Sequence, residues 1–426
     1  MPGKVAFYTL GCKLNFAETS IIGNQFVQNG FNVVDFNEKA DVYLINTCSV
    51  TDNADKECRQ IVRRALRTNP NAFIAVTGCY AQLRSEEIAR INGVDVVLGS
   101  NEKFKLFNYI DSFEKKDLSC VYVSPTESLN EVNAAYSTDA TGRTRAFLKV
   151  QDGCDYKCSY CTIPLARGKS RSLQADEVLR DFNKLLDQGY KEIVLTGVNV
   201  GDYGKALEID FFKLLQKILE IPQEFRVRIS SIEPNLLTDE IIDLTLNNPK
   251  MCEHFHIPLQ SGSPEILKLM QRRYNQQYYR DLIYKLTEKI DGVGIGVDVI
   301  VGFPGETNER FLETYQFLNE LPVSYLHVFT YSERPNTKAI TMTGSVDIQE
   351  RKRRNNMLRI LSEKKRNEFY RRMIGRDLNV IFEHENHMGQ MKGFASNYVR
   401  VQKPYDDTMI NKFVTIKLDE NSIAYQ

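Results

Sequence analysis

Apolar and polar positions alternate along the first third of the chain in a repeating rhythm. VAFYTLG, DVYLINTC, AFIAVTGC and VDVVLGS are short β-branched and aromatic runs, separated by helix-period stretches near residues 17–29, 53–68 and 84–91. Strand and helix in strict alternation predict a Rossmann-like parallel sheet of βα units. Ligands of such sheets gather at the carboxyl ends of the strands. Three of the runs end there in a thiol: FYTLGC delivers Cys12, LINTC delivers Cys48 and IAVTGC delivers Cys79. The pattern therefore predicts that three cysteines far apart in sequence share one sheet edge.

Residues 124–143 (SPTESLNEVNAAYSTDATGR) are polar and aperiodic, which predicts a linker. A second α/β run follows, with strands expected over FLKVQDG (147–153), EIVLTGVN (192–199), RVRISSIEP (226–234), FHIPLQSG (255–262), GVDVIVGFPG (296–305) and YLHVFTYS (325–332). Amphipathic stretches such as ADEVLRDFNKLLDQG and DFFKLLQKILE lie between them. Six βα repeats predict a partial TIM-like (β/α)6 barrel with its site at the C-terminal strand ends. Beyond residue 371 the period shortens to strands over DLNVIFEHE, MKGFASNYVRVQK and KFVTIKLDE, as in a small β-barrel. The expected division is 1–123, a linker at 124–143, a barrel at 144–370 and a β domain at 371–426.

At 426 residues and 42% hydrophobic content the chain has ample material for several cores. No apolar run is long enough to span a bilayer, and MPGKVAFYTLG lacks the features of a signal peptide, so a cytoplasmic protein with no membrane partner is expected. Nine cysteines in a large chain of that compartment point to metal or redox use rather than to a disulfide framework. Lys and Arg balance Asp and Glu at 55 each, so any surface for a polyanion must be local. RKRRNNMLRILSEKKRNEFYRRMIGR (351–376) is such a place, with eleven Lys or Arg against two Glu and an apolar stripe of Met357, Leu358, Leu361, Phe369 and Met373. A solvated helix face is the plainer reading of it. A polyanion contact is favoured, because like charges repel without a counter-surface.

The most specific signal is GCDYKCSYC, which sets Cys154, Cys158 and Cys161 in a C-x3-C-x2-C loop. Three thiolates on a tight loop can hold three irons of a 4Fe-4S cluster and leave the fourth open to a ligand that is not protein. A zinc site would want a fourth Cys or His nearby, and no histidine precedes His254. His254 and His256 in HFHIPLQ suggest packing or hydrogen bonding rather than a metal. Cys58, Cys120 and Cys252 fit no ligand pattern, and Cys58 suits a core position.

The C-x3-C-x2-C loop, with Tyr160 just before its third cysteine, resembles that of the radical S-adenosylmethionine superfamily. The resemblance narrows over nearly the whole chain. TLGCKLN, INTCSV and VTGC, then GCDYKCSYCTIPLARGKSRS, LTGVNVGDYG, HIPLQSGS and DVIVGFPGET, are similar to the methylthiotransferases. That resemblance implies two 4Fe-4S clusters, a sulfur-donating one on Cys12, Cys48 and Cys79 and a radical-generating one on Cys154, Cys158 and Cys161. Three buried core thiols are the competing reading of the first triad. The resemblance also implies two S-adenosyl-L-methionine molecules per turnover, an outside electron donor, an outside sulfur source and no catalytic residue beyond the cluster ligands. Candidates to contact S-adenosylmethionine are Tyr160 and the strand-end residues Thr196, Gly197, Asn199, Ser231, Glu233 and Gln260, where glycine and short polar groups allow close approach.

Within the family, TLGCKLN resembles the branch acting on threonylcarbamoyladenosine of tRNA. The alternatives are isopentenyladenosine of tRNA, an aspartate of a ribosomal protein and, from another class, a non-catalytic iron-sulfur or zinc RNA-binding protein. The C-terminal β domain resembles the TRAM module. It implies contact with a tRNA anticodon stem-loop, with Arg353, Arg354, Lys364 and Lys365 as candidate phosphate ligands and Phe394, Tyr398 and Arg400 as residues that could face nucleotides, although core packing is the favoured reading of the two aromatics.

Overall fold

The computed structural model describes residues 3–48, 52–129, 132–137 and 144–425. The chain forms two compact units, one comprising Met1–Thr138, Phe147–Tyr156 and Cys161–Leu173, the other Asp139–Ala146, Lys157–Tyr160 and Gln174–Gln426.

The first unit is built on a six-stranded sheet. Its elements are β1 (Lys4–Thr9), α1 (Lys13–Gln28), β2 (Asn32–Val34), β3 (Val42–Thr47), α2 (Asp52–Thr68), β4 (Phe73–Gly78), β5 (Val96–Leu98) and β6 (Cys120–Tyr122), and the strand order is β2-β1-β3-β4-β5-β6. Every pairing is parallel. β3 and β4 are buried along their whole length, as befits central strands covered on both faces. One face carries Tyr43, Ile45, Ile74 and Val76 against Ile61, Val62 and Ala65 of α2. The other packs Val42, Leu44, Phe73 and Ala75 against Ile22 and Phe26 of α1. Cys58 lies fully buried in the first of these cores. The outer strands β2 and β6 are three residues long, too short for periodicity to reveal them.

The stretch expected as a linker is partly ordered. Thr126–Ser128 forms a 3-10 turn, and Ala135–Tyr136 pairs antiparallel with Leu148 and Lys149. Residues 130–131 and 138–143 of that stretch lie outside the described residues. The expected strand FLKVQDG breaks in two. Arg145–Lys149 continues the α/β pattern, whereas Gln151–Asp152 turns to pair antiparallel with Arg171–Ser172.

In the second unit Glu192–Thr196 and Arg226–Ile229 run parallel, and Val227 bridges to Met251. His254–His256, Gly294–Val301 and Tyr325–Thr330 form a further parallel set. Helices alternate with these strands, several started by a side chain that accepts from the first turn, as Asp210 does from the Lys213 N–H and Asn275 from the Tyr278 N–H. The long helix Ile348–Met373 buries Leu358, Leu361, Phe369 and Met373, as their spacing predicts, whereas Met357 of the same expected stripe is only half-buried.

A four-stranded antiparallel sheet ends the chain in the order Arg400–Pro404, Gln390–Ala395, Asp377–His387, Phe413–Lys417. MKGFASNYVRVQK is therefore two strands, separated at a turn where Tyr398 takes φ +72°. Phe369, Tyr370 and Met373 of the long helix share a core with Val380, Phe382, Met391 and Val401 of the sheet. Buried Arg226 and Arg228 fasten the sheet to the parallel strands. Both pair with Glu192, and their remaining N–H groups donate to the carbonyls of Asn379, Phe394, Ala395 and Ser396.

Candidate functional site

The ends of β1, β3 and β4 are neighbours, and each delivers a cysteine. Cys12 immediately precedes α1, Cys48 follows β3, and Cys79 opens a short helix, Cys79–Leu83. Cys12 reaches the surface, whereas Cys48 and Cys79 are buried, and among the described residues no disulfide joins any of the nine cysteines. Two glycines make this crowding possible. Gly11 has φ +97°, and a Cβ there would fall 2.8 Å from the Cys48 sulfur. Gly78 has φ +101°, and a Cβ there would collide with the Thr47 carbonyl oxygen. Both positions exclude a side chain on two grounds, backbone conformation and space.

Short polar side chains hold this edge together. Asn15 Nδ2 donates to the carbonyls of Leu10 (2.8 Å) and Thr47 (3.1 Å), and Asn46 Nδ2 donates to the Asn15 carbonyl at 3.0 Å. Behind them lies a charge cluster that the sequence does not announce. Buried Glu18 accepts from Arg167 at 2.9 Å, Lys103 at 2.5 Å and Lys149 at 3.0 Å. Asp152 accepts from Arg167 at 3.0 Å and Lys149 at 2.6 Å. Three cations thus face two carboxylates. Both Glu18 and Asp152 are held below the usual carboxylate range, because the surrounding cations outweigh the burial that would raise them. Lys103 is lowered as well, but by burial, which Arg167 and Lys149 reinforce against the pull of Glu18. Arg167 also acts electrostatically on Cys12 and Cys79, so the positive excess lies beside the thiols. The one sequence signal for this cluster is a lysine and an aspartate inside the apolar run FLKVQDG.

In the second cysteine loop the sulfurs already accept hydrogen bonds. The Tyr156 N–H points to the Cys154 sulfur and the Ile163 N–H to the Cys161 sulfur, each at 3.4 Å. Cys158 accepts from Arg272 Nη1 at 3.2 Å. Burial raises the Cys158 thiol, and the Arg272 guanidinium opposes that shift. Arg272 also pairs with Glu233 and reaches the Tyr160 hydroxyl at 3.5 Å. Nothing in QRRYN marks this arginine out, since a surface charge would read the same way. Tyr160 packs edge-on to Phe303 within a small core with Ile266, Met270 and Tyr331.

The other expected cofactor contacts lie at strand ends of the second unit. Thr196 closes Glu192–Thr196, with Gly197 and Asn199 directly after it. Ser231 and Glu233 follow Arg226–Ile229. Gln260 takes φ +70° and enters the sheet edge through its backbone, donating to the Asp298 carbonyl at 2.8 Å and accepting from the Ile300 N–H at 2.9 Å. Thr196 Oγ1 and the neighbouring Ser230 Oγ are buried without a protein hydrogen-bond partner. A polar ligand such as S-adenosylmethionine suits such a place, since orphaned hydroxyls await a donor or acceptor. Glu233 carries Arg272 as well, so its carboxylate is committed in part to holding that guanidinium.

His254 and His256 make hydrogen bonds, as expected. His254 shares one with the Tyr325 hydroxyl at 2.9 Å, and His256 Nε2 lies 2.8 Å from Asp298 Oδ1. Cys252 is buried, and burial pushes its thiol up to about 11, out of reach of thiolate chemistry.

Two of the four candidate phosphate ligands must be withdrawn. Arg354 is buried and tied to Glu306 at 2.7 Å, Glu350 at 2.8 Å and Asn308 at 2.9 Å. Lys365 is buried with its ammonium on the carbonyls of Asn319 and Leu321. The helix turns these two positions toward the two ends of the helix Asn308–Glu320, where a carboxylate and terminal carbonyls receive them. Arg353 and Lys364 stay exposed, each beside a glutamate of the same helix.

Residues 148–318 match the family model described as the Radical SAM superfamily, and residues 4–99 match the one described as Uncharacterized protein family UPF0004. The chain is 41% identical to the threonylcarbamoyladenosine tRNA methylthiotransferase MtaB of Bacillus subtilis, over 99% of this chain and 95% of that protein. It is 38% identical to the protein of the same name from Aquifex aeolicus, over 94% and 96% respectively. A tRNA-2-methylthio-N(6)-dimethylallyladenosine synthase of Clostridium botulinum is 34% identical over 85% of this chain and 82% of that one. Among solved structures, the radical S-adenosylmethionine methyltransferase TsrM of Kitasatospora setae shares the fold, with a TM-score of 0.59 at 15% identity over 80% of this chain and 77% of that chain.

Proposed function

Because this chain belongs to the radical SAM tRNA methylthiotransferases, we propose that it converts N6-threonylcarbamoyladenosine beside the tRNA anticodon to its 2-methylthio derivative. The observation that carries the choice of substrate is the 41% identity over nearly the full length of a threonylcarbamoyladenosine enzyme, against 33–34% for the dimethylallyladenosine enzymes, one of them over an equal span. TLGCKLN supports the same branch.

Members of this family use S-adenosylmethionine and two 4Fe-4S clusters. In this reading Cys12, Cys48 and Cys79 hold the sulfur-donating cluster, and Cys154, Cys158 and Cys161 hold the one that binds S-adenosylmethionine. Bound there, these groups supply one-electron reduction, hydrogen abstraction from unactivated carbon, and sulfur and methyl for transfer. The protein's own residues position and shield. Gly11 and Gly78 let three thiols converge at the sheet edge, where desolvation raises the Cys12 thiol and Arg167 opposes that shift. Arg272 favours the anionic form of Cys158 while Glu233 fixes its orientation. Tyr160, Thr196, Gly197, Asn199, Ser231 and Gln260 offer the polar contacts for the cofactor's methionine and ribose ends. Arg353 and Lys364 remain as phosphate contacts to the anticodon stem-loop. The electron donor and the sulfur source come from outside the chain.

The test is mass spectrometry of tRNA nucleosides from cells lacking the protein. Threonylcarbamoyladenosine should persist without its methylthio group while isopentenyladenosine derivatives keep theirs. The opposite pattern would overturn the choice of substrate.

A further inference from the structure

Arg272 lies in the second unit with its side chain only 3% exposed, and each of its guanidinium nitrogens has a partner. Nε donates to the Tyr274 hydroxyl at 3.0 Å, Nη1 to the Cys158 sulfur at 3.2 Å and Nη2 to Glu233. The guanidinium carbon also lies 5.0 Å from the centre of the Tyr274 ring. Tyr274 is fixed in turn, because its hydroxyl donates to the carbonyls of Pro258 and Leu259, each at 2.8 Å. The backbone is pinned as well. After the helix Pro264–Leu269, Gln271 takes φ +59°, its N–H donates to the Lys268 carbonyl, and the Arg272 N–H donates to the Leu267 carbonyl, both at 3.0 Å. This helix ending usually recruits glycine, and here a glutamine bears the left-handed conformation. Arg272 is therefore a fixed charge set against one sulfur.

Cys154 and Cys161 accept backbone N–H groups, whereas Cys158 accepts from a guanidinium. Hydrogen bonds to the sulfurs and net charge are among the properties that set the potential of a 4Fe-4S cluster. Reduction adds one negative charge, so a cationic donor at a ligating sulfur holds the reduced state more tightly than the oxidised one. The potential rises. Burial strengthens the effect, because charges interact more strongly as the surrounding dielectric falls. Glu233, on another nitrogen of the same fork, keeps the guanidinium aimed and offsets part of its charge.

We propose that Arg272 is a positioning residue that raises the reduction potential of the cluster ligated by Cys158, and that Glu233 limits the rise. The electron itself comes from the outside one-electron donor, and no bond forms or breaks at Arg272. The inference rests on the reading that places this cluster on Cys154, Cys158 and Cys161.

Holoprotein and the variants Arg272→Gln, Arg272→Lys and Glu233→Gln would be poised at a series of potentials and followed by electron paramagnetic resonance. The signal that changes when S-adenosylmethionine is added identifies the cluster on Cys158, and the titrations themselves run without the cofactor. Arg272→Gln should lower its midpoint so that the ratio of reduced to oxidised cluster at a fixed potential falls about tenfold, which for one electron is about 59 mV. Arg272→Lys should shift it less, because the charge remains without the fork. Glu233→Gln should shift it upward, since the guanidinium loses its counter-ion. The midpoint of the other cluster should stay constant throughout.

An unchanged midpoint in an Arg272→Gln protein of parental iron content and melting temperature would overturn the proposal. If S-adenosylmethionine then binds more weakly, the guanidinium belongs to the cofactor's carboxylate instead. Downward shifts in both Arg272→Gln and Glu233→Gln would also overturn it, as a general disturbance of the loop. Should Arg272→Gln fail to load iron, Arg272→Lys decides by the same criterion. If no signal of the unsubstituted protein responds to S-adenosylmethionine, the cluster reading fails first, and this inference with it.

Discussion

Arg167 and Glu18, 149 residues apart in sequence, meet in a buried ion pair at 2.9 Å, with side-chain exposures of 2% and 0%. The pair joins α1 to the segment that follows the second cysteine loop, and Lys103, Lys149 and Asp152 complete the cluster. Its stabilising effect depends on completeness. Removing one member leaves an uncompensated charge away from water, which costs about 3–5 kcal/mol.

Glu18→Gln is expected to lower stability by about 3 kcal/mol, seen as an earlier urea midpoint with an unchanged slope. Glu18 and Asp152 sit below their unfolded values, so their contribution is complete above an unfolded pKa of about 4 and declines as the pH falls further. Urea titrations between pH 7 and pH 3 should show the parent losing stability below about pH 4 and Glu18→Gln losing less.

Gly78→Ala should disturb the sheet edge, since a Cβ would press on the Thr47 carbonyl oxygen from a backbone at φ +101°. After anaerobic reconstitution the parent is expected to hold about eight irons and the variant about four, because only the first triad depends on that turn. Full iron loading of Gly78→Ala would show that the edge tolerates the displacement.

Cys158→Ala should abolish both 5'-deoxyadenosine formation and methylthiolated product. Cys48→Ala should retain S-adenosylmethionine cleavage and lose sulfur insertion. Chromatography of the small-molecule products beside nucleoside mass spectrometry reads both. Loss of cleavage in a folded Cys48→Ala that keeps its second cluster would contradict the division of labour between the triads.

Charge reversal at Arg353 and Lys364 should weaken tRNA binding and shallow its dependence on salt, by roughly one in slope for each phosphate no longer neutralised. Reversal at Arg354 or Lys365 should instead lower the melting temperature, because each is buried against carboxylate or carbonyl oxygens. Anisotropy titrations at several salt concentrations and thermal melts separate the two pairs.

Local pattern along the chain was enough to establish the alternation of strand and helix and the delivery of Cys12, Cys48 and Cys79 at the ends of β1, β3 and β4, because apolar periodicity and strand-terminal cysteines are local signals. It was also enough for the buried stripe of the helix Ile348–Met373. Which cations of that helix face inward was settled by packing. Arg353 and Arg354 are adjacent and chemically identical, yet only Arg354 points at Glu306, and rotation about the helix axis follows from what packs against it. Lys149 and Arg167 likewise read as ordinary charges until the fold brings Glu18 to them. The broken strand at Val150 and the turn at Tyr398 escaped for the same reason: each depends on pairing with a distant segment, Arg171–Ser172 in one case and the antiparallel C-terminal strands in the other. Periodicity reports which face of an element is apolar. The partner of a buried charge is a property of three dimensions, since desolvation makes that partner obligatory but does not say where along the chain it lies.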